Sequence, residues 1–452
     1  RRFLVLGAGL AGACTAAALA RRGHAVVVCD PASPAAAASG NPWAVLHPRL
    51  PLDDGPRAGW LLTAHHHAWH WLASFRDGGG WHPAPLLQVP EARRPERMLR
   101  LLERFAPLAP RFGPTTLGGA PALRQTQGGH ADLPRIVATL LTHPRIRVLT
   151  HCPVTSLQPT AAGWRVARPA PEPGREPGPE PEPETEQNRK ERGRDQEAEL
   201  EAELEAELEA ELFEAVVVAA GDASADLLAS WLPGDHALPL GRMRGQVSRF
   251  RIADAAEGLA RDMPLGGARG AEVPLTEVSL KEASLTEAPV PDGDQAATPA
   301  GNASDAGPDG ASGGQDTGSI LTGRGHAFLQ DGAWISGSSY VRDGSSGPPT
   351  EREREENRKR LRAWFAYLAL PDPETLASDG DFCGVRATLP DRMPVVGRVV
   401  PGLWVNAGHA SSGLTTCPLA AEHLAASLLG EPPVLDEELR ALLDPLRFSS
   451  SG

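Results

Sequence analysis

Apolar and small residues alternate along the first thirty positions in a way that fixes the opening elements. FLVL at 3–6 is an uninterrupted apolar run of strand length, LAGACTAAALARRG at 10–23 is an alanine-rich helical segment, and AVVVC at 25–29 is a second buried run closed by Asp30. Gly7, Ala8, Gly9 and Gly12 fall at the turn between the first strand and the helix. There Gly7 permits the tight turn, Gly9 lets backbone approach a pyrophosphate at the positive helix end, and Gly12 lets helix pack on strand. Asp30, at the end of the second strand, is placed to accept from a ribose hydroxyl. Strand, helix, strand and terminal acid in this order predict a dinucleotide-binding unit, without deciding between NAD, FAD and a methyl donor.

Further along, GWRVA at 163–167 and FEAVVVAAG at 213–221 read as strands, the second ending in Ala220 and Gly221. GRMRGQVSRF at 241–250 starts another strand. Ser39, Gly40, Asn41 and Pro42 read as a turn that brings backbone near a cofactor. The stretch 384–430 reads as a turn carrying Arg386 and Asp391, a strand LWVNAG, and a long helix. Two tracts break the periodicity. Residues 168–214 begin proline- and glutamate-rich and end in four EAEL repeats, with Leu200, Leu204, Leu208 and Leu212 on a slowly drifting line. Residues 253–318 place glutamates at 272, 277, 282 and 287, a spacing that suits neither helix nor strand. Both read as low-complexity insertions, the first in a surface hairpin, and 339 residues remain without them.

Composition then changes the picture in three ways. The net charge of −13 is local, since 168–214 holds 17 acidic and 6 basic residues, so the rest is nearly neutral and a polyanionic partner is not excluded. No apolar stretch approaches the ~20 residues of a membrane span, which predicts a cytoplasmic protein without a membrane association. The five cysteines (Cys14, Cys29, Cys152, Cys383, Cys417) are odd in number and scattered, indicating neither a disulfide frame nor a zinc site. The first residue is Arg1 and the first strand begins at once, so we expect a domain upstream in a longer polypeptide.

The phrases GAGLAGACTAAALARRG, ASGNPWAVLHPRL, RMRGQ, GVRATLPDRMPVVG and GLTTCPLAAEHLA together resemble the D-amino-acid oxidase and glycine oxidase superfamily of FAD enzymes. Within it they resemble the oxidoreductase part of the bacterial bifunctional enzymes that make 5-methylaminomethyl-2-thiouridine at the tRNA wobble position. The resemblance implies an α/β protein: a Rossmann-like FAD-binding domain from 1–75, 126–240 and 380–452, carrying a smaller β-rich (α+β) substrate domain from 76–125 and 241–379. It implies FAD as cofactor and tRNA as partner, with an upstream SAM-dependent methyltransferase domain. The implied reaction oxidises the carboxymethylaminomethyl group to an imine, which water splits into glyoxylate and aminomethyl uridine.

By the same resemblance Arg386 binds the substrate carboxylate, a role its two parallel donors suit; a structural ion pair with Asp391 is the competing reading. Gly408, His409, Ser412, Gly413 and Leu414 match the stretch that runs over the flavin. Relatives commonly have an arginine in a G-S-R-G-L-like run, where this chain reads Ala410-Ser411-Ser412-Gly413-Leu414, which removes a second cationic contact. Val154 matches a strand whose backbone meets the adenine, or is a core valine. Asn41 reaches the flavin or begins a turn, and Arg49 contacts substrate or phosphate or faces solvent. His66 and His70 share a helix face as metal ligands can, but His65, His67 and their tryptophan neighbours favour an amphipathic helix. Arg93, Arg97, Arg100 and Arg104 form a stripe that tracks tRNA phosphates or is a solvated face. The competing functions are an FAD oxidase of free glycine-like or N-substituted amino acids, a non-catalytic tRNA-binding or scaffold module, and an NAD-dependent dehydrogenase.

Overall fold

The computed structural model describes residues 1–48, 50–89, 95–109, 111–168, 211–232, 237–251, 318–323, 325–342, 344–368, 370, 372 and 376–448. Arg49, Arg93 and nearly all of the two low-complexity tracts lie outside the described residues.

Six strands form one sheet in the order Val395–Val400, Leu403–Ala407, Ala215–Val218, Arg2–Leu6, Ala25–Cys29, Ile146–Leu149. All neighbours run parallel except Val395–Val400, which is antiparallel at its edge. Both faces of this sheet are covered, which is why its central strands, FLVL at 3–6, VVVC at 26–29 and AVVV at 215–218, are continuous apolar runs rather than alternating ones. Phe3 and Val5 pack into one core with the helices Leu10–Arg21, Leu133–Leu141 and Gly413–Leu429, while Leu4 and Leu6 pack into another with Leu157, Trp164, Leu228 and Val405. The alanines of Leu10–Arg21 let it lie close against Gly413–Leu429.

Eight further strands form a second sheet, ordered Ala377–Thr388, Gly241–Arg251, Ala333–Gly337, Gly325–Gln330, Ile320–Gly323, Leu86–Gln88, Ala120–Gln125, Phe112–Leu117. One face carries the helix Glu351–Leu368 through Phe250, Trp334, Leu361, Trp364 and Phe365. Under that helix lies a buried polar knot. Arg244 Nε donates to Glu353 Oε2 at 2.9 Å, the Ser339 hydroxyl donates to Oε1 at 2.8 Å, and Asn357 Nδ2 donates to the Gln246 carbonyl at 2.9 Å.

At three places the chain departs from, or adds to, what its sequence predicts. Arg386 is not on a turn: it belongs to the long strand Ala377–Thr388, which pairs antiparallel with Gly241–Arg251 along its length, opposite Met243. Asp391 is in the turn that follows and pairs with Arg447 at 2.9 Å, so it is not an ion partner of Arg386. The predicted strands flanking the first tract are present as Gly163–Ala167 and Ala215–Val218, in different sheets, and Trp164 and Phe213 pair through both backbone bonds. The five cysteines are free thiols, and among the described residues no helix is long and apolar enough to cross a membrane.

Candidate active site

The glycine turn is built by close approach. Gly7 has φ +108°, and a Cβ there would stand 2.4 Å from the Ala219 carbonyl oxygen; a Cβ on Gly12 would stand 1.8 Å from that of Gly7. Helix Leu10–Arg21 therefore begins directly over the strand ends, with first-turn N–H groups that have no intrahelical acceptor. Ser39, on the short 3-10 turn Ala38–Gly40, accepts one of them, from Leu10, at 2.9 Å. Asp30 accepts from the Ala8 and Ala32 N–H groups at 2.7 and 2.9 Å, tying the second strand to the turn. Asn41 caps its own turn, accepting from the Trp43 N–H at 3.0 Å. Gly40 has no room for a side chain, since a Cβ would meet the Ala35 carbonyl at 2.8 Å.

From this turn a cavity of about 970 Å³ runs between the two sheets. Gly7, Gly9, Asp30, Ser39 and Asn41 line one part; Ala220, Gly221, Gly408, Ser412, Gly413 and Leu414 line another. Gln88, Val247, His326 and Arg386 on the eight-stranded sheet, with Ser338 and Tyr340 just after its strand Ala333–Gly337, line a third. Helix Gly413–Leu429 aims its N-terminus into this space, where its dipole favours negative charge. The loop before it is fixed by a buried imidazole: His409 bonds Thr416 Oγ1 through Nδ1 and Asn406 Oδ1 through Nε2, both at 2.8 Å, and Asn406 Nδ2 donates to Thr15 Oγ1 at 3.0 Å. Burial holds the His409 pKa down at about 4, so the ring is neutral. Gly408 has φ +79°, and Ala410 takes the left-handed φ of +51°.

Arg386 brings positive charge to the far part of the cavity. Its guanidinium donates to the Ser338 hydroxyl at 3.2 Å and lies over the Tyr340 ring, 5.4 Å from the centroid. Gly245 makes room for it, since a Cβ there would stand 2.5 to 2.8 Å from the guanidinium atoms.

The profile described as "DAO: FAD dependent oxidoreductase" matches residues 2–427. The chain belongs to this family. As a family member it is an FAD-dependent oxidoreductase, and the residues present fit that cofactor: close-packed glycines at a helix start, an acid at the end of the second strand, and a second helix N-terminus on the same cavity. Among similar proteins is the tRNA 5-methylaminomethyl-2-thiouridine biosynthesis bifunctional protein MnmC of Polaromonas sp., 28% identical over 98% of this chain and 59% of that protein. The MnmC of Pseudomonas putida strain F1 is 26% identical over 99% of this chain and 60% of that protein. The chain thus spans about three-fifths of the length of these relatives. Among solved structures, glycine oxidase of Geobacillus kaustophilus aligns with a TM-score of 0.63 at 16% identity, covering 96% of each chain. Iminodiacetate oxidase of Chelativorans sp. BNC1 aligns at 0.62 and 18% identity, covering 96% of this chain and 97% of its own. These two likenesses carry the α/β fold alone.

Of the residues singled out by sequence, the cavity of this flavoenzyme gathers Arg386, Gly7, Gly9, Asp30, Ser39, Asn41, Ala220, Gly221, Gly408, His409, Ser412, Gly413 and Leu414. Ala8, Gly12 and Gly40 stand behind its wall as backbone supports. Val154 is not brought there: it lies in the connection after Ile146–Leu149, outside any strand, and packs against the core beneath the sheet. In the arginine stripe, Arg97 lines the cavity and donates to the Leu50 carbonyl at 2.9 Å, Arg100 is exposed, and Arg104 pairs with Asp54. His65, His66, His67 and His70 share helix Pro56–Leu72, with His65 buried and His66 against Arg111 and His70. Sequence reasoning missed Asn406, Thr15, Gly245, Tyr340 and His326. Only the small residues of RMRGQ and NAGH hint at them, because their roles depend on strands far apart in sequence.

Proposed function

We propose that this flavoenzyme removes the carboxymethyl group from 5-carboxymethylaminomethyl-(2-thio)uridine at the tRNA wobble position, giving 5-aminomethyl-(2-thio)uridine and glyoxylate. The observation that carries the reading is a single cavity with a dinucleotide-type glycine turn at one part and the Arg386 guanidinium at another. The names of the relatives supply the tRNA context. A secondary amine with a carboxylate one carbon away is the group such a cavity suits. Arg386 takes the carboxylate through parallel charged hydrogen bonds, and the sheet residues around it keep water from the carbon being oxidised. Bound FAD supplies the two-electron oxidation of the C–N bond to C=N, taking up the hydrogen lost from that carbon. The N–H proton leaves the nitrogen, and addition of one water to C=N then breaks the bond, releasing glyoxylate and the primary amine. An upstream methyltransferase domain acting on that amine is part of this proposal.

Anaerobic mixing of the FAD-loaded protein with tRNA carrying the carboxymethylaminomethyl group tests it. Bleaching of the flavin band with release of glyoxylate is the expected result. Bleaching by N-methylglycine and none by the tRNA would replace the reading with a free amino acid oxidase.

A further inference from the structure

Of the large apolar side chains that stand exposed among the described residues, Tyr340 alone lines the cavity, and it is the only Phe, Tyr or Trp there. It is 48% exposed. A single exposed aromatic needs no explanation on an open surface; this one stands beside the guanidinium that takes the substrate carboxylate. Its backbone is fixed on both sides. The Ser339 N–H donates to the Gln246 carbonyl at 3.0 Å, and Val341 and Arg244 exchange both backbone bonds at 3.0 Å. Residues 339–341 are thereby tied to strand Gly241–Arg251, which presents the ring from a fixed backbone.

Spacing adds to position. The Arg386 guanidinium carbon lies 5.4 Å from the centre of the Tyr340 ring. In a carboxymethylaminomethyl uridine, four single bonds separate the carboxylate carbon from C5 of the pyrimidine, and extended they span about 5 Å. A carboxylate held by Arg386 therefore leaves the pyrimidine within reach of the ring. Free N-methylglycine ends at its methyl group and has nothing flat to offer. A pyrimidine has a π-face, and an aromatic side chain is what holds such a base once it is turned out of its strand.

We infer that Tyr340 is the platform on which the pyrimidine of the substrate nucleotide stacks while Arg386 holds its carboxylate. This deepens the proposed function and rests on it. The two residues act on opposite ends of one group: the guanidinium fixes the carboxylate, the ring fixes the base, and the carbon and nitrogen to be oxidised lie between them. An amino acid without a base gains from Arg386 alone, and an unmodified uridine gains from Tyr340 alone. Only the modified nucleotide gains from both. Preference for an amine carried on a nucleoside over a free amino acid thus falls to one side chain.

The test uses the FAD-loaded protein and two ligands, N-methylglycine and the nucleoside 5-carboxymethylaminomethyluridine. Their dissociation constants are read from the concentration dependence of anaerobic flavin bleaching. Both ligands use Arg386, so a disturbance of that residue weakens them alike and the ratio of the two constants reads the ring. The wild type should bind the nucleoside about tenfold tighter, the worth of one base–aromatic stack. Tyr340→Leu should lose that preference, and Tyr340→Phe, which keeps the ring, should retain it. A wild type without the preference overturns the inference, with no variant needed. So does a preference that survives in Tyr340→Leu, which confines the ring to supporting Arg386, or one lost equally in Tyr340→Phe, which moves the role to the hydroxyl. The modified tRNA separates the two readings. Bleaching by the tRNA with an unmoved ratio overturns this inference alone, whereas bleaching by N-methylglycine and none by the tRNA, or by none of the three, overturns the proposed function and this inference together.

Discussion

Arg386 reaches the cavity because three other residues allow it: Gly245 leaves space, Ser338 accepts from it, and Tyr340 offers its ring face. A guanidinium presents two parallel donors where an ammonium presents a point charge. Arg386→Lys therefore keeps the charge and loses the fork. It should weaken N-substituted glycine binding by about 1.5–3 kcal/mol, or roughly 10- to 100-fold, read as a rise in the substrate concentration for half-maximal bleaching. An unchanged half-maximal concentration would show that Arg386 does not hold the carboxylate. At this scale the sequence was informative about type and poor about place. The motif GVRATLPD singles out Arg386 and Asp391 together, yet strand pairing carries the first to the cavity and Arg447 holds the second elsewhere.

Among elements, the eight-stranded sheet depends on the helix Glu351–Leu368 behind it, and the tie is polar as well as apolar. Arg244 and Glu353 are both buried and bonded at 2.9 Å, and Arg244 also holds the carbonyls of Gly347 and Pro348 at the entry to the helix. Removing one partner of such a pair strands the other, at a cost of about 3–5 kcal/mol. Glu353→Gln should lower the melting temperature accordingly, and the double change Arg244→Met with Glu353→Leu should lose less than the single one. Calorimetry of the three proteins checks this, and a double variant worse than Glu353→Gln would refute it. Since Gln246, Val247 and Ser248 follow Arg244 on the same strand, loosening this knot should also reduce FAD retention. The strand at GRMRGQVSRF was legible from its pattern. Its partner strands, Ala333–Gly337 and Ala377–Thr388, far along the chain, were not, because a buried arginine in sequence looks like an exposed one.

For the molecule as a whole, several histidines lie in places where a charge is costly. Burial is the first cause of lowered pKa values at His65, His409 and His423, each held at about 4, and at His130 and His326, each held at about 3. Each takes up a proton more readily in the unfolded chain than in the folded one. The stability they contribute is therefore complete above the unfolded value near 6.5 and is lost as pH falls toward 4 and 3. The melting temperature of the FAD-loaded protein should be flat above about pH 7 and fall steeply from 6.5 to 4, and His130→Phe should shallow that fall. A melting temperature indifferent to pH over this range would contradict it. What the sequence determined by itself is local: the glycine turn, the first strand–helix–strand unit, the strands at 163–167 and 215–218, and the helix Gly413–Leu429, because periodicity, glycine placement and chain continuity act over a few residues. What only the tertiary structure decided is which distant residues meet. His326, Tyr340, Gly245 and Arg386 become neighbours through sheet register, a product of pairing across the whole chain that no short stretch contains.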